Sequence, residues 1–153
     1  MPHVVQCTWA FDLVGHVGTP VHSFSTGTIH AVGYNHALGD YGNVIVLQYQ
    51  LPPVYDTTSN STRQRQAVYA LYGHLDDASI VHKKVGDSIR AGQVLGWMGD
   101  VHGCGGWQTP HAHFQLSPEP LLTHDMPGAV EPEHRSPALV SHPDPRYVLG
   151  ALH

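Results

Sequence analysis

The regular alternation of residue types in His111–Leu116 constrains the fold more than any other stretch. Apolar and polar side chains exchange places at every step: Ala112, Phe114 and Leu116 against His111, His113 and Gln115. A period of two places these sets on opposite faces of a β-strand, so both histidines point to the same side. Neutral imidazole is a good zinc ligand and titrates near neutrality, so the pair suits one metal ligand beside one catalytic base. The alternative is a pair on an exposed polar face, since the chain has 14 histidines in 153 residues.

The rest of the chain up to residue 116 is also predicted to consist of short strands and tight turns. Further strands are predicted at 7–14, 19–24, 27–32, 43–49 and 67–74 and around the turns at 85–87 and 91–93, with a short helical turn at 76–81. No long segment has a period of 3.6 residues. The sequence therefore predicts a mostly-β, antiparallel, two-sheet single domain.

Two segments lack this pattern. Residues 56–66 are polar, and we expect a mobile excursion at a hairpin tip that is dispensable for folding. After Leu116 the chain becomes rich in Pro and His, without a sustained period. We therefore expect a domain over 1–116 and an irregular extension over 117–153 that packs on the same domain.

Charge and hydropathy exclude some classes of protein. The net charge is −5, with only seven Lys and Arg residues, which argues against nucleic-acid binding. No apolar run approaches the roughly 20 residues of a membrane span, and no signal peptide is visible. We expect a monomer without nucleic-acid partners.

Seven short motifs occur in one order along residues 8–116. They are Phe11-Asp12, Gly18-Thr19-Pro20-Val21, Gly27-Thr28-Ile29, Tyr41-Gly42-Asn43-Val44-Ile45, Leu71-Tyr72-Gly73-His74-Leu75, the turns Val85-Gly86-Asp87 and Ala91-Gly92-Gln93, and Pro110-His111-Ala112-His113-Phe114. This order resembles the M23 family of zinc metallopeptidases, of the lysostaphin and LytM type. The resemblance implies antiparallel sheets of the barrel-sandwich type (the duplicated hybrid motif) with a groove.

The resemblance also implies site residues and a substrate. Asp12 and His113 match zinc ligands, whereas His74 and His111 match the two catalytic histidines. The implied activity is Zn²⁺-dependent hydrolysis of peptide bonds, with a peptide or peptidoglycan as the substrate. Such chemistry needs three protein ligands and a fourth position for water. Proteins of this family usually act at the cell envelope or are secreted.

The sequence departs from the family at the first ligand, where the usual pattern is His-x-x-x-Asp. Thr8 stands four residues before Asp12 and is a poor zinc ligand. His3 lies nine residues before Asp12, an odd separation that faces away on a straight strand. We predict that His3 is the third ligand, brought round by a bend or bulge. His16 and His22 are the fallback ligands.

Some alternatives remain open at this stage. Cys7 and Cys104 could pair, supply a spare ligand or stay idle thiols, and Trp107 could line the groove or pack. The turn pattern of 84–96 also resembles biotinyl and lipoyl carrier domains, but neither Lys83 nor Lys84 sits at a hairpin tip.

The end of the chain carries a second resemblance. Residues 127–132 and 143–150 resemble the end of M23 modules fused to class-III aminotransferase-like proteins, which would imply a cytosolic origin. The alternative function is therefore a catalytically impaired M23-like module that binds a peptide or regulates a partner, within a larger fusion protein.

Overall fold

A computed structural model of the chain describes residues 10–36, 40–50, 55–56, 61–62, 67–103, 106 and 108–117. The elements in chain order are β1 (Ala10–Val14), β2 (Pro20–His22), β3 (Gly27–Asn35), β4 (Gly42–Gln50), β5 (Tyr55–Asp56), β6 (Ser61–Thr62), β7 (Ala67–Leu75), α1 (Asp77–Val81), β8 (Ser88–Ile89), β9 (Val94–Trp97) and β10 (His111–Ser117). Within these residues α1 is the only helix, and no helix is long and apolar enough to cross a bilayer.

Six strands form the main sheet in the order β1-β10-β7-β4-β3-β8, with every neighbouring pair antiparallel. β2 pairs with β9 in a second, two-stranded sheet. One apolar cluster joins the two sheets; its buried members include Val21, Ile29, Ile45, Leu47, Tyr49, Tyr72, Leu95 and Phe114. The prediction of a mostly-β, antiparallel fold of packed sheets is confirmed.

The central strands β4 and β7 are buried on both faces, which explains why neither has the alternation of a half-exposed strand. Alternate residues of β7 belong to two different apolar clusters. Val68 and Tyr72 belong to the larger cluster, whereas Tyr69 and Leu71 belong to a smaller one with Val44. The smaller cluster lies on the same sheet face as His113, since Gln115 pairs with Leu71 and His113 pairs with Gly73.

The predicted turns and helix are present. Gly86 and Gly92 have positive φ angles of 95° and 78°, as the two predicted turns require. α1 begins after Asp76, whose side chain accepts a hydrogen bond from the backbone N–H of Ser79.

The structure differs from the sequence-based prediction in the extent of several elements; β2, for example, spans only Pro20–His22 of the predicted 19–24. β3 continues to Asn35, three residues beyond the predicted end, because it pairs with β4 as far as Gly42. Residues 55–56 and 61–62 pair as a small β-ladder, which the expectation of a mobile excursion at a hairpin tip did not include. That this segment is mobile and dispensable for folding stays a prediction. The predicted extension after residue 117, like Cys7, Cys104 and Trp107, lies outside the described residues.

Candidate functional site

Three neighbouring strands bring the candidate residues together on one face of the main sheet. In the register of β1, β10 and β7, Asp12 is opposite His113, which in turn is opposite Gly73. His111 lies two residues before His113 and is opposite Val14. The opposite face of β10 contributes Ala112, Phe114 and Leu116 to the larger core. Strand parity therefore places the polar residues of β10 as the sequence predicted.

Asp12 and His113 are in direct contact. Nδ1 of His113 lies 2.8 Å from Oδ1 of Asp12. The side chain of His113 is 14% exposed and that of Asp12 is 61% exposed, so the pair sits at the mouth of the site. Two ligand atoms held tetrahedrally by one zinc ion at about 2.1 Å are about 3.4 Å apart. An increase of about 0.6 Å in the distance between this nitrogen and this oxygen would therefore let both atoms bind the same ion.

His74 reaches this face through a β-bulge. Ile45 of β4 pairs with Tyr72 and Asn43 pairs with Leu75, so Val44 is opposite two residues, Gly73 and His74. Tyr72 and Leu75 both belong to the larger core, which leaves Gly73 and His74 to the opposite face. Without the extra residue, strict alternation would direct the imidazole of His74 into the core.

The backbone at His74 is held in an unusual conformation. His74 has a φ of 61°, and among the described residues it is the only non-glycine with a positive φ. This conformation costs about 1–2 kcal/mol for a residue with a Cβ. The N–H of His74 donates to the carbonyl of Tyr41 at 2.7 Å, and its carbonyl accepts from the N–H of Gly99 at 2.9 Å. Strained backbone that neighbours hold in place is typical of functional sites.

Asn43 fixes the residue that follows His74. Its buried side-chain amide donates to the carbonyl of Leu75 at 2.9 Å and to the carboxylate of Asp77 at 2.8 Å. Gly103 packs against the same carbonyl, since a Cβ at this position would lie 2.6 Å from the Leu75 oxygen. The backbone that follows the bulge is therefore held in place by both Asn43 and Gly103.

His74 and His111 are in contact and are both largely buried. Their ring centroids are 4.2 Å apart, and their exposed fractions are 3% and 7%. Nδ1 of His111 lies 2.7 Å from the carbonyl oxygen of Thr109, which can only accept, so Nδ1 carries a proton. A neutral ring protonated at Nδ1 has its lone pair on Nε2, and this is the form that a general base requires. The exposed polar face considered as the alternative is wrong for β10, because His111 and Gln115 are buried.

The described residues contain no candidate for the predicted third zinc ligand beside Asp12 and His113. In the ranges that the structure covers, no three His, Cys, Asp or Glu side chains are grouped to hold one metal ion. Neither His16 nor His22 therefore completes a set with Asp12 and His113. His22 instead donates from Nδ1 to the carbonyl of Gly92. His3, the predicted third ligand, lies outside the described residues.

The sequence-based prediction missed two residues of this site, Tyr41 and Gln115. Gln115 is 5% exposed, and its Oε1 lies 3.1 Å from both the Tyr41 hydroxyl and Nε2 of His113. Gln115 could have been recognised from the sequence, because its even spacing from His111 and His113 places all three side chains on the same face of β10. Tyr41 precedes β4 and contacts β10 only through the fold.

The sequence of the chain matches known proteins over most of its length. The family model described as Peptidase family M23 matches residues 7–121. Glycyl-glycine endopeptidase ALE-1 of Staphylococcus capitis is 35% identical over 108 residues, which are 70% of this chain and 24% of that protein. Lysostaphin of Staphylococcus simulans is 34% identical over 108 residues, 70% of this chain and 17% of that protein. The chain thus spans about a quarter or less of the length of these relatives.

A solved structure supports the same fold. The catalytic domain of the prophage-encoded M23 protein EnpA from Enterococcus faecalis, solved as a single-residue mutant, is similar with a TM-score of 0.51. The match covers 80% of this chain and 73% of that one, at 21% sequence identity.

Proposed function

The chain belongs to peptidase family M23, and from this premise we propose that it is a zinc-dependent endopeptidase whose substrates are the peptide cross-bridges of peptidoglycan. One observation carries the proposal: β1, β10 and the bulge of β7 bring Asp12, His113, His111 and His74 to one sheet face. The name of ALE-1, a glycyl-glycine endopeptidase, supports Gly–Gly bonds as the first substrates to test.

Asp12 and His113 would hold the zinc ion, because their carboxylate oxygen and Nδ1 already converge to 2.8 Å. We propose His3 as the third protein ligand. The bound ion supplies Lewis-acid activation of water and of the scissile carbonyl.

His111 and His74 would serve the reaction itself. His111 accepts the proton of the attacking water at Nε2, since its Nδ1 proton is engaged by Thr109. His74 donates a hydrogen bond to the oxygen of the scissile carbonyl as negative charge develops there. The two rings suit these roles because they are in contact and largely shielded from solvent, where such hydrogen bonds are stronger.

A second candidate function rests on Thr8. This residue stands where the family usually has its first histidine ligand. A chain in which His3 does not take over that role would be a non-catalytic M23 module that binds a peptide or regulates a partner.

Hydrolysis assays distinguish the two candidates. The zinc-loaded chain should cleave a Gly–Gly cross-linked peptide and release fragments from purified peptidoglycan. His111→Ala should lower turnover by about 10² or more while zinc stays bound. His82→Ala is the matched control, because His82 is an exposed residue at the end of α1 and should behave like the parent. Zinc-loaded, folded protein that cleaves neither substrate would favour the binding module.

A further inference from the structure

Tyr41 and Gln115 connect to His113 through a short chain of hydrogen bonds. The Tyr41 hydroxyl donates to Oε1 of Gln115 at 3.1 Å, and the same oxygen lies 3.1 Å from Nε2 of His113. The other ring nitrogen of His113, Nδ1, faces Asp12. The imidazole is thus held at both nitrogens, by an amide oxygen on one side and a carboxylate on the other.

The packing around these three side chains keeps them in register. Gln115 is two residues after His113 on β10, so both side chains leave the same face of the strand. The rings of Tyr41 and His113 lie 4.8 Å apart at 37°. Gly73 makes room for this approach, because a Cβ there would lie 3.3 Å from Cβ of Tyr41 and 3.5 Å from Cβ of His113. A residue with a side chain at this position would press on Cβ of Tyr41, the nearest of these atoms.

We infer that Tyr41 and Gln115 are positioning residues that keep a proton on Nε2 of His113 and so assign Nδ1 as the atom that binds the metal ion. The inference rests on the proposed function only in taking Asp12 and His113 as zinc ligands. The Tyr41 hydroxyl orients the Gln115 amide so that its oxygen, and not its NH₂ group, meets the ring. An oxygen at that position accepts a proton from Nε2, which leaves Nδ1 to coordinate beside Asp12.

The arrangement has a chemical consequence beyond orientation. A histidine ligand whose second nitrogen donates to an oxygen is more basic and less free to rotate, and losing such a partner typically lowers metal affinity by 10- to 100-fold. If the Gln115 amide were rotated by 180°, its NH₂ group would face Nε2 of His113. The His113 proton would then be favoured on Nδ1, where it would prevent Nδ1 from binding a metal ion beside Asp12. The identity of residue 115 therefore controls which nitrogen is available.

Zinc affinity in a set of variants tests the role of the pair. Gln115→Met keeps the volume but removes the acceptor, and it should weaken zinc binding by about 10- to 100-fold. Gln115→Glu retains an acceptor and should stay within a few-fold of the parent. Tyr41→Phe loses only the hydroxyl and should cost about 2- to 10-fold. Gln48→Met on β4 is the matched control, since Gln48 pairs with Tyr69, four residues before Gly73 and about 13 Å away along the strand. Equal zinc affinity in the parent and in folded Gln115→Met would overturn the inference, as would a parent chain that binds no zinc.

The tautomer of His113 gives a readout that does not depend on activity. In zinc-loaded protein, ¹⁵N NMR of the imidazole should show the proton on Nε2 and the metal on Nδ1. A proton on Nδ1 with the metal on Nε2 would contradict the inference, even in an active enzyme. Conversely, the predicted tautomer in a chain that hydrolyses no peptide would support the inference while the proposed function failed.

Discussion

Replacing His74 by Gly should give a more stable protein than replacing it by Ala. In an ordinary strand, a protein with Gly at a given position is less stable than one with Ala by about 0.5–1 kcal/mol, because Gly loses more conformational freedom on folding. At a φ of 61°, however, Ala carries a steric cost of about 1–2 kcal/mol that Gly avoids. Both variants lack the imidazole, so its lost contacts cancel in the comparison. The net advantage of Gly should be about 0.5–1 kcal/mol.

Urea unfolding of the metal-free variants measures this difference. With a slope of about 1.5 kcal/mol per molar, the midpoint of His74→Gly should lie roughly 0.3–0.7 M above that of His74→Ala. Ala67→Gly supplies the control, because Ala67 begins the same strand and is absent from the residues with positive φ. There Gly should lower the midpoint by a similar amount.

The reasoning would be refuted if His74→Ala proved at least as stable as His74→Gly while Ala67→Gly showed its ordinary loss. The backbone at His74 would then not be strained, and its hydrogen bonds to the Tyr41 carbonyl and from the Gly99 N–H would not be holding a strained conformation. Both variants at His74 should lose about 10² or more in turnover, because neither can supply the hydrogen bond that we propose His74 donates to the developing oxyanion.

Three further predictions concern the metal, pH and packing. His113→Ala should lose zinc, whereas His111→Ala should keep it and lose turnover, as elemental analysis beside a peptide assay will show. Burial raises the pKa of Tyr49 to about 12 in the fold, above the ordinary value of 10. Stability should therefore be fully present below pH 10 and fall between pH 10 and 12, and urea unfolding should show a shallower fall for Tyr49→Phe. Gly103→Ala should destabilise the fold by about 1–3 kcal/mol and reduce turnover, because its Cβ would lie 2.6 Å from the Leu75 carbonyl oxygen beside the bulge; an unchanged melting temperature would contradict this.

Periodicity and turn chemistry were enough to predict most of the fold. A period of two along β10 correctly separated core residues from site residues, because one face of this strand packs on the second sheet. The glycines of the turns at 86 and 92 marked the short strands β8 and β9, each of which follows one of these turns. The short ladder of β5 and β6 was missed, because its residues are polar and carry no strand period.

The arrangement of the site was less accessible from sequence. The bulge at His74 depends on the pairing of β7 with β4, which no local pattern around His74 specifies. Likewise, Tyr41 and Gln115 are 74 residues apart in the chain and meet only across the sheet. The roles predicted for Asp12 and His113 rest on a family resemblance, and the structure adds that the Oδ1 and Nδ1 atoms of these residues are in contact.

Zinc content per chain tests the central claim most directly, measured by elemental analysis for the parent, His3→Ala and Thr8→His after equal dialysis. We predict close to one zinc ion per parent chain, a clear loss in His3→Ala, and little gain in Thr8→His, because three protein ligands already hold the ion. Zinc that is low in the parent, unchanged in His3→Ala and strongly raised in Thr8→His would contradict the account. The natural chain would then lack its first ligand, and the non-catalytic module would be the better description.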